Sequence, residues 1–220
     1  MSKPERARKG DDARVDLKET AIDCFARYGY QGTSIDRIAR EAGVTKGAIY
    51  YHYKDKNDLL SAAVADRVGE FEDRVQSACQ GASAEESLKR VVAVSVEHAL
   101  SHDRPRFAIK LMVEAIETND PLLEEMRGMM RRFRAFLRNI VRAGQEDGSL
   151  RRDVDADAVA ATLTSAVIGA ETQYYLDPER FRLAQVLETF IVQLCDGLRA
   201  EPGAPVRPES NPQPQGRPQP

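Results

Sequence analysis

Between residues 10 and 200 the chain contains three prolines, Pro105, Pro121 and Pro178. A proline inside a helix removes a hydrogen bond and clashes with the preceding turn. Their scarcity leaves room for long helices, and their positions mark where helices should begin or end. Apolar–polar alternation over β-branched runs, the signature of strands, does not occur. The expected fold class is therefore all-α. Seven of the 11 prolines lie at or beyond Pro202, in "EPGAPVRPESNPQPQGRPQP". This stretch has too little apolar content for a core, so 201–220 is expected as a disordered, Pro-rich tail.

At 220 residues, 42% hydrophobic and 30% charged, the chain has the composition of a soluble globular protein with a substantial core. No run approaches the roughly 18 apolar residues of a membrane span. The charged start "MSKPERARKGDDARVD" has no apolar h-region, so it does not read as a secretory signal. Cys24, Cys79 and Cys195 are far apart and read as reduced core thiols of a cytoplasmic protein, with no metal-ligand spacing. The net charge of −3 does not advertise a nucleic-acid partner, yet residues 1–60 hold 12 of the 32 basic and 10 of the 35 acidic residues. The first quarter is thus weakly positive, and a DNA-binding face needs only local positive charge.

The expected first helix, 12–28, places Leu17, Ala21, Cys24 and Tyr28 on one stripe and ends at Gly29. Thr33 reads as an N-cap with Asp36 three residues on. A short helix over 34–41 then buries Ile35, Ile38 and Ala39. Gly43 supplies a tight turn, Val44 returns to the core, and Thr45 caps a third helix over 46–53. Two short helices joined by such a turn form a helix-turn-helix candidate. A fourth helix, 56–79, carries Leu60, Val64, Val68, Phe71 and Val75. Ser83 can cap the next one, and further helices are expected over 84–101, 105–117, 121–146, 155–176 and 179–199, two of them with Pro121 and Pro178 at their first position. The resulting plan is an N-terminal arm (1–11), a three-helix unit containing the helix-turn-helix candidate (12–56), a larger helical unit (57–200) and the tail.

The third helix carries the chemistry. With Ile49 facing the core, a turn of about 100° per residue points Tyr50, Gly47 and Tyr51 away from it, while Thr45 and Tyr53 lean inward. Five of the seven tyrosines lie between 28 and 53. A tyrosine-rich helix can simply pack on a second domain. It can also read DNA, since a phenol reaches phosphate oxygens and thymine methyls. Context favours the second reading. Thr33 and Ser34 open a helix N-terminus suited to phosphate, and Lys54 and Lys56 follow the third helix.

The stretch "TAIDCFARYGYQGTSIDRIAREAGVTKGAIYYHYKDKNDLL", residues 20–60, closely resembles the N-terminal region of the tetracycline-repressor (TetR) family of bacterial transcription regulators. The matching set is F-x-x-x-G-Y, T-S/T-x-x-x-I-A, A-G-V, G-x-x-Y-x-H-F/Y and K-x-x-L-L, with Tyr53 where phenylalanine is commoner. The resemblance implies that Thr33 and Ser34 meet phosphate and that Thr45, Lys46, Gly47 and Ala48 approach bases. It implies Tyr50 and His52 on phosphate or sugar, Tyr51 near bases, and Lys56 clamping a phosphate. Asp36 and Asp55 face the same side, as caps or as groups that temper affinity. The expected function is a ligand-responsive regulator of double-stranded DNA, a repressor released from a palindromic operator by a small hydrophobic or amphipathic effector.

The resemblance also implies an effector pocket after the third helix and a homodimer through the last two helices. Candidate pocket walls are Phe107, Met112, Met130, Phe133 and Tyr174, with Leu111, Met126, Met129, Phe136 and Tyr175 as further apolar candidates; stripes of this kind are more often plain core. Candidate interface residues are Leu163, Val167, Tyr174, Leu187, Phe190, Ile191, Leu194 and Leu198, which would pair with a second copy as a four-helix bundle or else close the monomer's own core. A carboxylate of Glu114, Glu117 or Glu171, if buried, would favour a cationic ligand. His98 and His102, one turn apart, more often form a solvated helix end than a metal site. No Gly-rich phosphate loop, zinc motif or nucleophile elbow proposes an enzyme or a cofactor. A helical protein-interaction adaptor would explain the exposed tyrosines but not the Thr/Ser and Lys positions.

Overall fold

Ser34, Thr45, Asp55, Ser83 and Asp155 each stand one residue before a helix, and each accepts a hydrogen bond from a backbone N–H of its first turn. These caps set the chain's punctuation. The computed structural model describes residues 17–101, 106–118 and 120–200. The arm 1–11, the start of the first helix and the tail 201–220 lie outside the described residues.

The described elements are α1 (17–28), α2 (Ile35–Glu41), α3 (Lys46–His52), α4 (Lys56–Cys79), α5 (Ala84–Leu100), α6 (Arg106–Thr118), α7 (Asp120–Asp147), α8 (Ala156–Leu176) and α9 (Leu183–Leu198). The all-α expectation holds; among the described residues the one β feature is an isolated bridge between Leu150 and Arg199. Most expected boundaries move by about one residue, and three shifts have a visible cause. Ser34, not Thr33, caps α2, because its hydroxyl accepts from Arg37 N at 3.2 Å. Tyr53 is the C-cap of α3 rather than its last residue. Helix α9 begins at Leu183, because Pro178 heads a turn closed by Phe181 N–H donating to Asp177 O at 2.9 Å.

Two hydrophobic cores divide the molecule. The first joins Leu17, Ile22, Phe25, Ile38, Ile49, Leu59 and Leu60 with Leu111, Ala115, Leu122 and Met126 from α6 and α7. Side chains as deeply buried as Phe25, Ile38, Ile49, Leu59 and Leu60 each stabilise by about 1.5–3 kcal/mol. The second core gathers Val75 of α4, Leu88, Val91 and Val92 of α5, Leu137 and Val141 of α7, and the inner faces of α8 and α9. Helix α4 belongs to both, its first half to one and its last turns to the other. The second core is closed at one end by Arg151 N–H donating to Leu198 O at 2.9 Å and by Arg199 paired with Glu85 at 2.9 Å. The cysteines are free thiols, Cys24 and Cys195 buried and Cys79 half-buried. Among the described residues no helix is long and apolar enough to cross a membrane.

Candidate nucleic-acid interface and effector cavity

Helix α3 is short, and its orientation is fixed by two residues. Ile49 is fully buried, and Tyr53 at the C-cap is buried beside it. The opposite face is bare: Thr45, Lys46, Gly47 and Ala48 are exposed, Tyr50 is 49% exposed and Tyr51 84%. Thr45 therefore does not lean inward; it caps α3 through Ala48 N at 3.2 Å. Val44 does not return to the core either, being 38% exposed in the turn. Gly43 makes that turn with φ +65, as its place in the sequence requires. His52 is half-buried, its ring edge-on to Tyr51 at 4.9 Å between centroids. Lys46 Nζ reaches Asp36 Oδ2 at 3.0 Å, and that hydrogen bond raises the ammonium's pKa. Both partners are in solvent, so another anion can take Asp36's place.

Two side chains expected at phosphate are engaged within the protein. Thr33 is buried, and its hydroxyl donates to Gly29 O at 2.6 Å, with Cys24 O at 3.1 Å. A hydroxyl has one proton, and this one is committed inside the protein. Lys56 Nζ donates to Tyr30 O at 2.8 Å and Thr33 O at 3.0 Å and lies 4.0 Å from the centre of the Tyr30 ring. Burial lowers its pKa, opposed by Glu114. Two of its three N–H groups are thus spent on the α1–α2 loop. Sequence spacing placed Lys56 beside the DNA face but could not say that the loop carbonyls arrive first.

The same loop is gripped from the other side by α6. Glu114 accepts from Tyr30 N and Gln31 N, both at 2.7 Å. One turn earlier, Lys110 Nζ donates to Ala26 O at 2.8 Å and Arg27 O at 3.0 Å, the carbonyls that end α1. An ammonium at a helix C-terminus and a carboxylate on loop N–H groups are charge-assisted contacts of the correct sign. Gly29 fits between them: its φ is +76, and a Cβ there would lie 2.9 Å from Glu114 Oε2. Glu114 is therefore a loop holder and not a pocket residue.

The cavity lies behind α6. It has a volume of about 160 Å³ and is bounded by α1, α4, α5, α6, α7 and α8. Of the expected walls, Met112, Met130 and Phe133 line it, as do Leu111, Met126 and Met129. Tyr174 does not; it lies against Tyr175 with ring centroids 5.5 Å apart. The side chains of Phe107, Glu117 and His102 lie outside the described residues. Sequence reasoning missed Ile22, Val68 and Phe71, which read as stripe residues of their own helices, and His98, which read as part of a solvated helix end. Phe71 and Phe133, 6.0 Å apart between centroids, also border a second chamber of about 190 Å³ together with Glu72 and Phe136.

The polar part of the cavity wall is small. His98 packs on Phe71 at 5.2 Å, and burial, then Arg74 and Arg67, hold its pKa below the usual imidazole value. Arg67 is paired with Glu19 at 2.8 Å and with Glu70 at 3.2 Å, and Glu72 with Arg132 at 3.1 Å. Ser95 donates to Val91 O at 2.9 Å. Glu171 faces this cavity from α8, and burial alone pushes its pKa up to about 7.

The expected interface residues are also redistributed. Leu163, Val167, Leu187, Ile191 and Leu198 are buried within the single chain, and Tyr174, Phe190 and Leu194 are half-buried against the same core. What α8 exposes is a row of small residues, Ala158, Thr162 and Ser165, with Gly169 following in register; α9 exposes Val186, Thr189, Val192 and Gln193. The strongest apolar seam points inward because it has a core to fill before any partner arrives.

Comparison with known proteins agrees with this geometry. Residues 17–63 match the bacterial regulatory proteins of the tetR family, and residues 84–196 match the C-terminal domain of BetI-type transcriptional repressors. The fatty acid metabolism regulator protein of Bacillus subtilis is 22% identical over 185 residues, 84% of this chain and 94% of that protein. A TetR transcriptional regulator from Chloroflexus aurantiacus superimposes with a TM-score of 0.73 at 26% identity, over 88% of this chain and all of that one. The regulator FadR of Bacillus subtilis, solved in complex with stearoyl-CoA, has the same fold, with a TM-score of 0.72 at 21% identity over 84% of this chain and 99% of its own. The chain belongs to the TetR family of ligand-responsive, DNA-binding transcriptional repressors, with a C-terminal half of BetI type.

Proposed function

We propose that the chain works as a cytoplasmic homodimer that holds a palindromic operator with paired α3 helices and releases it when a small apolar or amphipathic effector fills the cavity. Lys46, Gly47, Ala48 and Tyr51 meet base edges; Ser34, Tyr50 and His52 meet phosphate or sugar. Thr45 sets the N-terminus of α3, while Thr33 and Lys56 act indirectly by fixing the loop that carries α2. The dimer forms through the outer faces of α8 and α9, with Ala158, Thr162, Ser165 and Gly169 allowing close approach of Val186 and Val192 from a second copy.

The observation that carries this reading is the position of α6. Its Leu111 and Met112 line the cavity, and its Lys110 and Glu114 hold the end of α1 and the loop before α2. An occupant that displaces α6 must carry the loop with it, or break four hydrogen bonds. Either outcome shifts α3 on one protomer, and half-sites about one helical turn apart amplify the misfit.

Selection from a randomised duplex pool tests the proposal. The selected sites should be two-fold symmetric and bound with a steep salt dependence. Ser165→Glu combined with Val186→Glu, which sets like charges against each other across the two-fold, should yield a monomer by ultracentrifugation that no longer selects them. Absence of any selected duplex would favour the adaptor reading, and an intact dimer in the double variant would remove the α8–α9 face.

A further inference from the structure

Glu171 is a carboxylate without a counter-charge among the described residues. It makes no hydrogen bond and no ion pair among the described residues, and it lies on the wall of a cavity otherwise built from Phe71, Phe133, methionines and aliphatic side chains. Glu171 is half-buried, and a charge drawn even partly out of water without a partner is costly, so proteins retain one where something else supplies the partner. The other charged groups facing the cavity cannot do so. Arg67 is engaged by Glu19 and Glu70, and Glu72 by Arg132. His98 is held toward its neutral form.

We infer that the cavity takes a compact lipophilic amine, whose protonated nitrogen donates to the Glu171 carboxylate while its apolar body lies against Phe71, Phe133 and the methionines. This rests on the reading of the cavity as the effector site. Size supports a compact ligand: a cavity of about 150 Å³ lined by apolar side chains accommodates benzene, and this one is about 160 Å³. Charge disfavours an anion, because an acid's carboxylate would meet Glu171 with no unengaged cation beside it among the described residues. Aromatic faces at Phe71 and Phe133 add favourable contact for a cation.

Calorimetry on the full chain with 2-phenylethylamine, 2-phenylethanol and 3-phenylpropanoate tests the inference, on wild type and Glu171→Gln. At pH 8 the amine should bind at least about tenfold tighter than the alcohol, and the acid more weakly than either. Glu171→Gln should bring amine and alcohol to within about threefold. Between pH 6 and pH 8 the wild-type affinity for the amine should rise about tenfold while that for the alcohol stays flat, since the ionised share of a carboxyl titrating near 7 grows from about a tenth to about nine-tenths. Equal binding of amine and alcohol to wild type, a preference that survives Glu171→Gln, or no binding of the amine would each overturn it. The DNA reading fails separately: amine binding that depends on Glu171 but leaves affinity for the selected duplex unchanged removes the switch and keeps the site.

Discussion

The loop between α1 and α2 and the cavity behind α6 are neighbours with opposite polar economies. In the loop, nearly every group with hydrogen-bonding capacity has a fixed partner: Thr33 on Gly29, Lys56 on Tyr30 and Thr33, Glu114 on Tyr30 and Gln31. In the cavity, Glu171 has none among the described residues. The loop must present α2 and α3 in one orientation, and paired polar groups enforce one geometry. Under the proposed function the cavity accepts an occupant, and an unpaired charge among adaptable methionines leaves a place for one. A satisfied network specifies a shape, whereas an unsatisfied one specifies a partner.

The contrast breaks most visibly at Glu171. Its folded pKa lies above its unfolded value, so the stability it confers is fully present below about pH 4.5 and is lost as pH rises through about 7. At 1.36 kcal/mol per pH unit, the ligand-free protein should be less stable above pH 7 by at most about 3 kcal/mol, and by less where water reaches this half-buried side chain. Glu171→Gln should therefore raise stability by up to about 3 kcal/mol at pH 8 and by almost nothing at pH 4.5. Urea unfolding at the two pH values measures the difference. A variant no more stable than wild type at pH 8 would mean that Glu171 is solvated, and the contrast with the loop would vanish.

The loop should respond in the opposite direction. Lys56→Met removes two ammonium–carbonyl bonds, so stability should fall by about 2 kcal/mol, given about 1.5–3 for a hydrogen bond to a charged group and partial solvent access. DNA affinity should fall as well, because α2 and α3 lose their mount. The slope of log affinity against log salt should stay constant, whereas loss of a direct phosphate contact would lower it by about one. A shallower slope with unchanged stability would restore Lys56 as a phosphate clamp.

How far these sites were legible in the sequence follows from how local their causes are. The caps at Thr45 and Ser83, the turn at Gly43 and the outward aim of Tyr50 and Tyr51 depend on residues within a turn or two, and periodicity finds them. The exchange of Thr33 for Ser34 is a one-residue question that only the path of the preceding loop decides. Lys110 and Glu114 lie more than 80 positions from the atoms they hold, and nothing in their own helix distinguishes them from solvated charges. The inward seam of α8 and α9 was visible as a stripe. Whether a stripe faces its own core or a second copy depends on how many other helices need covering, and here α5 and α7 claim it.

Tyr51 offers the smallest effect on stability and the sharpest test of what the satisfied loop is for. At 84% exposed it contributes no core, and among the described residues its ring neighbour is His52. Tyr51→Ala should change unfolding free energy by less than about 0.5 kcal/mol, as exposed substitutions generally do. Its effect should appear instead in which duplexes are chosen, since a side chain on bases alters preference while one on phosphate weakens all sequences alike. The measurement is competition of wild type and variant against the same randomised pool, beside Tyr50→Phe as the phosphate-side control. A changed ranking for Tyr51→Ala with a uniform loss for Tyr50→Phe places base reading on the outermost ring of α3. The rigid loop then serves to hold that ring at a fixed depth in the groove. Identical rankings for both would put sequence discrimination on Lys46 and the N-terminal turn of α3 instead.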